Sequence, residues 1–368
     1  MTGLCDNPPI GGYATSRRYR EGIAGMRLGD MDSGQHPSAG ALLSSNGALP
    51  RLRTAGIAGL GMSLPERIVT NETISTRLGV DENWLETRTG ILERRHAAPE
   101  ETLAALAAEA GSQALERAGI EATSLDLLLV ATTSQDELLP NAAPLVAAAL
   151  GAGQVGAIDI GAACTGFVSA LALAAGQVEA GRAERILVVG AEIMSRLISP
   201  DDRPTAGLFG DGAGAAVVTA GGPGRLGPAV QSSDGVEGPE LIYANNDERI
   251  VHMAGQDTFK HAVRRLSEST TEAAEAAELR LEDIDVFVYH QANGRILRAV
   301  GERLKLPADR VIDCIANYGN TSAATIPIAL VEAERAGMLV PGANVLISAF
   351  GAGFTWGAMT IEWGLDDA

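Results

Sequence analysis

The chain has 368 residues, 46% of them hydrophobic and 20% charged, which suits a globular protein of about two domain-sized units. Its 28 Lys and Arg stand against 46 Asp and Glu, for a formal charge of −18, and only 4% of residues are aromatic. That balance excludes a general nucleic-acid binder, because both the basic field and the stacking rings are scarce.

Residues 1–53 are rich in Gly, Ser and Pro and show no sustained period of 2 or 3.6. Such a segment buries little apolar surface and is expected to be a mobile, mostly irregular extension. From Thr54 onward the pattern alternates strand and helix. Leu127–Ala131, Ile186–Gly190, Val286–Tyr289 and Val345–Ser348 are continuous apolar runs suited to strands buried on both faces. Ala/Leu/Glu-rich helices are expected over 101–118, 141–150, 165–181, 257–279, 294–304 and 322–337. The chain also resembles itself. Ala157–Ile160, a small-residue turn at Cys164 and a helix ending near Gly181 are echoed by Val311–Asp313, a turn at Asn320 and a helix ending near Gly337. An apolar strand precedes and follows each block, so two α/β halves, 54–220 and 221–368, are expected with a seam near Gly221–Gly224.

The three cysteines, Cys5, Cys164 and Cys314, are too few and oddly numbered for a disulfide framework, and read as free thiols of a reducing cytosol. No apolar run reaches the roughly 18 residues of a membrane helix, and the first residues lack the basic start and apolar run of a secretory signal. A soluble cytoplasmic protein is therefore expected, with no membrane and no metal.

Cys164 lies where an apolar strand turns through small residues into a helix, in Ile158-Asp-Ile-Gly-Ala-Ala-Cys-Thr-Gly-Phe167. A helix N-terminus favours the thiolate, and small neighbours admit a substrate. The other reading of Cys164 is a small buried hydrophobe. His290 ends the strand Val286–Tyr289, at the carboxyl edge where sites of open α/β sheets gather, or else simply caps the next helix. Asn320 sits in Asn317-Tyr-Gly-Asn-Thr-Ser-Ala-Ala324, where capping is the ordinary use of such residues. Phe350-Gly-Ala-Gly-Phe-Thr-Trp-Gly357 follows the last long expected strand, and its backbone N–H groups could bind an oxyanion or simply make a tight turn.

Taken together, Ala162–Phe167, His290–Ile296, Gly319–Ala324 and Phe350–Gly357, with Trp84–Gly90 and Asp202-Arg203 before Phe209–Gly214, resemble the signature set of β-ketoacyl-acyl carrier protein synthase III. The resemblance runs from about Thr54 to Trp363. It implies a thiolase-like α/β fold of five layers, α-β-α-β-α, with two pseudo-equivalent halves, as a homodimer. It also implies decarboxylating Claisen condensation of an acyl-CoA starter with malonyl-acyl carrier protein, with no permanently bound cofactor. Cys164, His290 and Asn320 take the catalytic positions, and the N–H groups of Cys164 and Gly353 the oxyanion hole. Trp84, Arg88, Arg203, Phe259 and Asn293 take the CoA and pantetheine positions. Carrier-protein docking is expected at Lys260, Arg264 and Arg295, because without residues 1–53 the chain still carries 22 basic against 42 acidic residues and its carrier, by resemblance, is acidic too.

A thiolase would need a second reactive cysteine in 350–357, which holds none. Cys314 is expected in the core, on the strand before the Asn320 motif. A starter-unit ketosynthase or acyltransferase of polyketide metabolism shares the same three residues. A non-catalytic carrier-binding subunit would not need all of them. The segment Leu138–Asn141 is expected to help close the acyl pocket, partly across the dimer, and Leu there hints at room beyond acetyl.

Overall fold

The computed structural model describes residues 53–245 and 247–365. The expectation for residues 1–53 lies outside them except for Arg53, which pairs with Glu184 at 2.8 Å; Cys5 lies outside as well. The amino-terminal half runs β1 (Ala55–Ser63), β2 (Ile68–Thr70), α1 (Asn71–Leu78), α2 (Glu82–Thr89), β3 (Glu93–Arg95), α3 (Leu103–Ala118), β4 (Leu127–Ala131), α4 (Ala142–Ala149), β5 (Gly156–Ile160), α5 (Gly166–Glu179), β6 (Arg185–Ile193) and β7 (Asp211–Ala220). The carboxyl-terminal half runs β8 (Arg225–Ser233), α6 (Gly238–Leu241), β9 (Ile242–Ala244), β10 (Val251–Met253), α7 (Gly255–Ala276), β11 (Val286–Tyr289), α8 (Gly294–Leu304), α9 (Ile315–Tyr318), α10 (Thr325–Arg335), β12 (Asn344–Gly351) and β13 (Thr355–Glu362).

The two large sheets repeat one plan. The first has the order β1-β7-β6-β4-β5, the second β8-β13-β12-β11. In both, the outer two pairings are antiparallel and the next is parallel. The parallel pair β4–β5 has its counterpart in a single parallel bridge between Phe287 and Val311. The expected strand at Val311–Asp313 thus shrinks to one residue of pairing. Cys314 is accordingly not on a strand: it leads into the short helix α9, and burial pushes its thiol well up.

Helices α5 and α10 lie between the sheets. Their Ala, Leu, Val and Ile residues join one apolar cluster with Ile57, Val188 and Val218 of the first sheet and Val286, Val345 and Met359 of the second. Both helices bury most of their circumference, as a helix with apolar residues all round must. A second cluster packs α3 and α4 on the outer face of the first sheet, and a third packs α7 and α8 on the second. The result is the five-layer α-β-α-β-α order expected from the resemblance.

The expected helices are present, within a few residues at their ends. Helix α3 begins where Thr102 accepts the Ala105 N–H at 3.1 Å and ends at Gly119, φ 64°. The sequence reading passes over β1, β7, β8 and β13. Strand β1 is Ala-Gly-Ile-Ala-Gly-Leu-Gly-Met-Ser, with little of the β-branched signal. Its glycines serve packing: a Cβ on Gly59 or Gly61 would stand 2.2 Å from the Ala114 or Ala110 carbonyl of α3. The glycine-rich segment 350–357 is also more than a final turn. Phe350 and Gly351 close β12, Thr355 opens β13, and the connection between them is Ala352–Phe354.

Candidate active site

The two halves present matching turns to one cavity. Ala163 and Ser322 both hold left-handed backbone, φ 46° and 51°, which costs a non-glycine residue about 1–2 kcal/mol. Each opens a 3-10 turn, Ala163–Thr165 and Ser322–Ala324, that runs into α5 or α10. Each turn is braced by a glycine of the other half. A Cβ on Gly190 of β6 would lie 2.3 Å from the Ala323 carbonyl, and one on Gly351 of β12 would lie 2.8 Å from the Cys164 amide nitrogen.

These turns and the end of β11 bring Cys164, His290 and Asn320 to a cavity of about 520 Å³. Protein encloses the Cys164 sulfur, although the residue keeps a partly accessible face on the cavity. Burial pushes its thiol up to about 12; a hydrogen bond to Ser322 opposes that rise and Glu192 adds to it. The position at a helix N-terminus is as expected, but the resting group is a thiol, because desolvation outweighs the favourable contacts.

His290 is 1% exposed, and burial lowers its pKa to about 3. The imidazole is therefore neutral at pH 7. Its backbone N–H donates to the Ser348 carbonyl at 2.8 Å, and its ring meets Phe350 edge-on at 5.5 Å. Asn320 is held from both sides: its N–H donates to Leu208 O at 2.9 Å and its carbonyl accepts from Gly210 at 3.0 Å. Its Oδ1 accepts the Ser322 N–H at 2.9 Å, which orients the amide so that Nδ2 is the donor left for a substrate. Fully buried Arg94 supports this wall by donating to Asn71 Oδ1, Val69 O and Gly207 O.

The same cavity is also lined by Trp84, Arg88, Arg203, Phe259 and Asn293. The Arg88 guanidinium lies 4.7 Å from the Trp84 ring centroid. Asn293 Nδ2 donates to the Arg88 carbonyl at 3.1 Å, tying α8 to α2. Among the described residues no group of three or more His, Cys, Asp or Glu could hold a metal ion, and no helix is long and apolar enough to cross a membrane.

Family models for 3-oxoacyl-[acyl-carrier-protein] synthase III match residues 158–235 and, for its C-terminal part, 274–363. The beta-ketoacyl-[acyl-carrier-protein] synthase III 2 of Streptomyces coelicolor is 43% identical over 312 residues, 84% of this chain and 94% of that protein. The chain belongs to the 3-oxoacyl-[acyl-carrier-protein] synthase III family. Among solved structures, the synthase III of Thermus thermophilus superposes with a TM-score of 0.80 at 42% identity, covering 85% of this chain and all of that one. The priming beta-ketosynthase of the R1128 polyketide pathway superposes with a TM-score of 0.82 at 36% identity, covering 87% and 98%.

Within this synthase III fold, one expected site residue falls elsewhere. Gly351 and Ala352 line the cavity and Gly353 does not. Gly353 is turned against α6, where a Cβ on Gly238 would meet its carbonyl carbon at 2.2 Å. The docking candidates Lys260, Arg264 and Arg295 are exposed and stand outside the lining. The sequence reading missed Ser322 and Glu192. Ser322 had a usable signal, since it stands in the second half where Ala163, next to Cys164, stands in the first. Glu192 had only the oddity of a carboxylate ending an apolar strand.

Proposed function

We propose that this chain condenses an acyl-CoA starter with malonyl-acyl carrier protein, with loss of CO₂, to begin fatty acid synthesis. The observation that carries the reading is the convergence of Cys164, His290 and Asn320 on one cavity that Trp84, Arg88 and Arg203 also line. A buried thiol, a neutral imidazole and an oriented amide suit acyl transfer followed by enolate stabilisation; acid–base chemistry on carbon is not required of them.

In the first half-reaction the Cys164 sulfur attacks the thioester carbonyl and CoA leaves. The backbone N–H groups of Cys164 and Ala352 hold the oxyanion, the latter replacing the role expected of Gly353. In the second, Asn320 Nδ2 and His290 Nε2 donate to the malonyl thioester oxygen as CO₂ departs. The negative charge of the enolate then grows against two fixed donors in a dry site, each worth about 3 kcal/mol. The enolate carbon attacks the acyl-cysteine and releases the product. No permanently bound cofactor enters this scheme. Trp84 and Arg203 suit an adenine between them and Arg88 suits its phosphates.

A homodimer belongs to the same reading. Strand β5 is a sheet edge, and Ile158 on it is 52% exposed; Leu138 and Leu139 are 78% exposed each. Apolar edges of this kind call for a cover, and these leucines, which do not line the cavity of the single chain, fit a role across the dimer. The cytoplasm is the compartment that suits two CoA-pathway substrates and free thiols.

The likeness to the R1128 priming ketosynthase supports one second reading, a starter-unit synthase of polyketide metabolism. Mass spectrometry of the protein after incubation with a panel of acyl-CoAs tests the main claim. An acyl adduct on Cys164 supports it and names the starter; no adduct with any acyl-CoA refutes it. Transfer to fatty-acid versus polyketide carrier proteins then separates the two pathways.

A further inference from the structure

One buried acid stands next to this chemistry without a part in it. Glu192, in β6, is fully buried. Its Oε1 accepts the Ser322 hydroxyl at 2.9 Å, and the Cys164 Sγ in turn donates to Ser322 Oγ at 3.4 Å. The three groups form a directed chain, S–H to O–H to carboxylate. We propose that Glu192, acting through the Ser322 hydroxyl, takes up the Cys164 proton during acylation and returns it when the condensed product leaves.

Several features favour a proton-holding role over a purely structural one. The other groups that face Glu192 are the Thr132, Thr133 and Ser134 hydroxyls and the Thr133 N–H, all from the loop after β4. No cation is among them; the ionisable neighbour is Cys164. Burying a carboxylate without a cation is costly, and a glutamine would satisfy much of the same bonding without that cost. Burial raises the pKa of Glu192, which makes it a better proton acceptor than a surface carboxylate. Ser322 is pinned for the relay by its left-handed backbone and by the bond from its N–H to Asn320 Oδ1.

This relay rests on Cys164 as the acyl carrier. In acylation the Cys164 S–H bond breaks. Its proton passes to Ser322 Oγ while the serine proton passes to Glu192. The sulfur bonds to the acyl carbon, the acyl–CoA bond breaks, and the CoA thiolate takes a proton from solvent. After the enolate attacks, the acyl–Cys164 bond breaks and the thiolate recovers its proton from Glu192 by the reverse route. Glu192 touches no substrate; it is a positioning residue that acts through Ser322.

The test is the pH profile of Cys164 alkylation by iodoacetamide, followed by peptide mapping so that Cys5 and Cys314 are read separately. In the wild type the rate should rise as Glu192 ionises and then stay flat through neutral pH. In Glu192→Gln and in Ser322→Ala it should be at least about tenfold lower at pH 7. It should also climb about tenfold per pH unit, since only spontaneously ionised thiol then reacts. A wild-type plateau retained in either variant overturns the relay. Should Glu192→Gln fail to fold, Ser322→Ala carries the test, because it leaves the carboxylate with its other donors. Acyl-CoA loading is scored separately: a wild type with the plateau but no acyl adduct would refute the functional reading and leave the relay standing.

Discussion

The bond from the Ser322 N–H to Asn320 Oδ1, 2.9 Å long, decides what Asn320 offers the cavity. With its oxygen engaged, the amide presents Nδ2, a donor matched to a thioester oxygen that becomes an enolate.

Asn320→Asp should therefore separate the two half-reactions. The carboxylate can still accept the Ser322 N–H, but it has no donor for the enolate and repels its charge. Acylation of Cys164 should persist, while CO₂ release from malonyl-acyl carrier protein should fall by a factor of about 10²–10³ or more. His290→Ala should give the same split. Radiolabelled CO₂ release and intact-protein mass, measured side by side, check this; wild-type decarboxylation in either variant would remove the role.

Much of this was legible in the sequence because chemistry and topology coincide there. The runs at β4, β6, β11 and β12 are apolar because both faces are covered, so their ends, and with them His290, could be placed. Cys164 and Asn320 were found through the matching turns of the two halves. Strand β1 was not legible, because contact with α3 demands Gly59 and Gly61, and glycine carries no strand signal. Gly353 was misplaced because three consecutive small residues, Gly351, Ala352 and Gly353, look alike in one dimension. Only the packing of Gly353 on Gly238 tells which of them turn away. The resting protonation of Cys164 was misjudged because desolvation cannot be read from neighbours in the chain.

Gly351→Ala should harm acylation in particular. Its new Cβ would stand 2.8 Å from the Cys164 nitrogen and 3.3 Å from Ala163 Cβ, and backbone cannot rotate aside as a side chain can. Overpacking of this kind costs about 1–3 kcal/mol, and here it would shift an oxyanion donor. Acyl-CoA loading should drop at least about tenfold alongside the loss of thermal stability. A variant with normal loading would show that the turn tolerates displacement and that the Cys164 N–H is not a tuned donor.

Burial of His290 also predicts a pH dependence of stability. Its folded pKa is about 3, against about 6.5 in an unfolded chain. Below about pH 6.5 the unfolded state takes up a proton that the folded state refuses, so stability falls as pH drops from there toward pH 3. Relative to His290→Gln, the wild type should lose up to about 1.4 kcal/mol per pH unit across that window. Urea unfolding of both proteins at pH 7, 6, 5 and 4 measures the difference. A difference that stays constant with pH would mean that the imidazole takes up its proton in the folded state as readily as in the unfolded chain.

Docking of malonyl-acyl carrier protein is expected to use exposed cations near the cavity. Arg295 lies 5.7 Å over the Phe259 ring, and Phe259 lines the cavity, so Arg295 stands next to the cavity wall. On α7, Arg264 is exposed with no ion-pair partner among the described residues, whereas Lys260 is paired with Asp257 at 3.1 Å. In a strongly acidic chain, an acidic partner must be drawn by local cations. Reversal of Arg264 or Arg295 to Glu should raise the KM for malonyl-acyl carrier protein several-fold. Lys260→Glu should do less, because Asp257 already offsets its charge. Turnover with a small malonyl thioester lacking the carrier protein should change little in all three. Added salt should raise the wild-type KM and narrow the gap to the variants, since exposed charges are screened over about 8–10 Å at physiological ionic strength. Steady-state kinetics with both donors at two salt concentrations decides it. Equal losses on both donors would place these residues in the reaction itself rather than in docking.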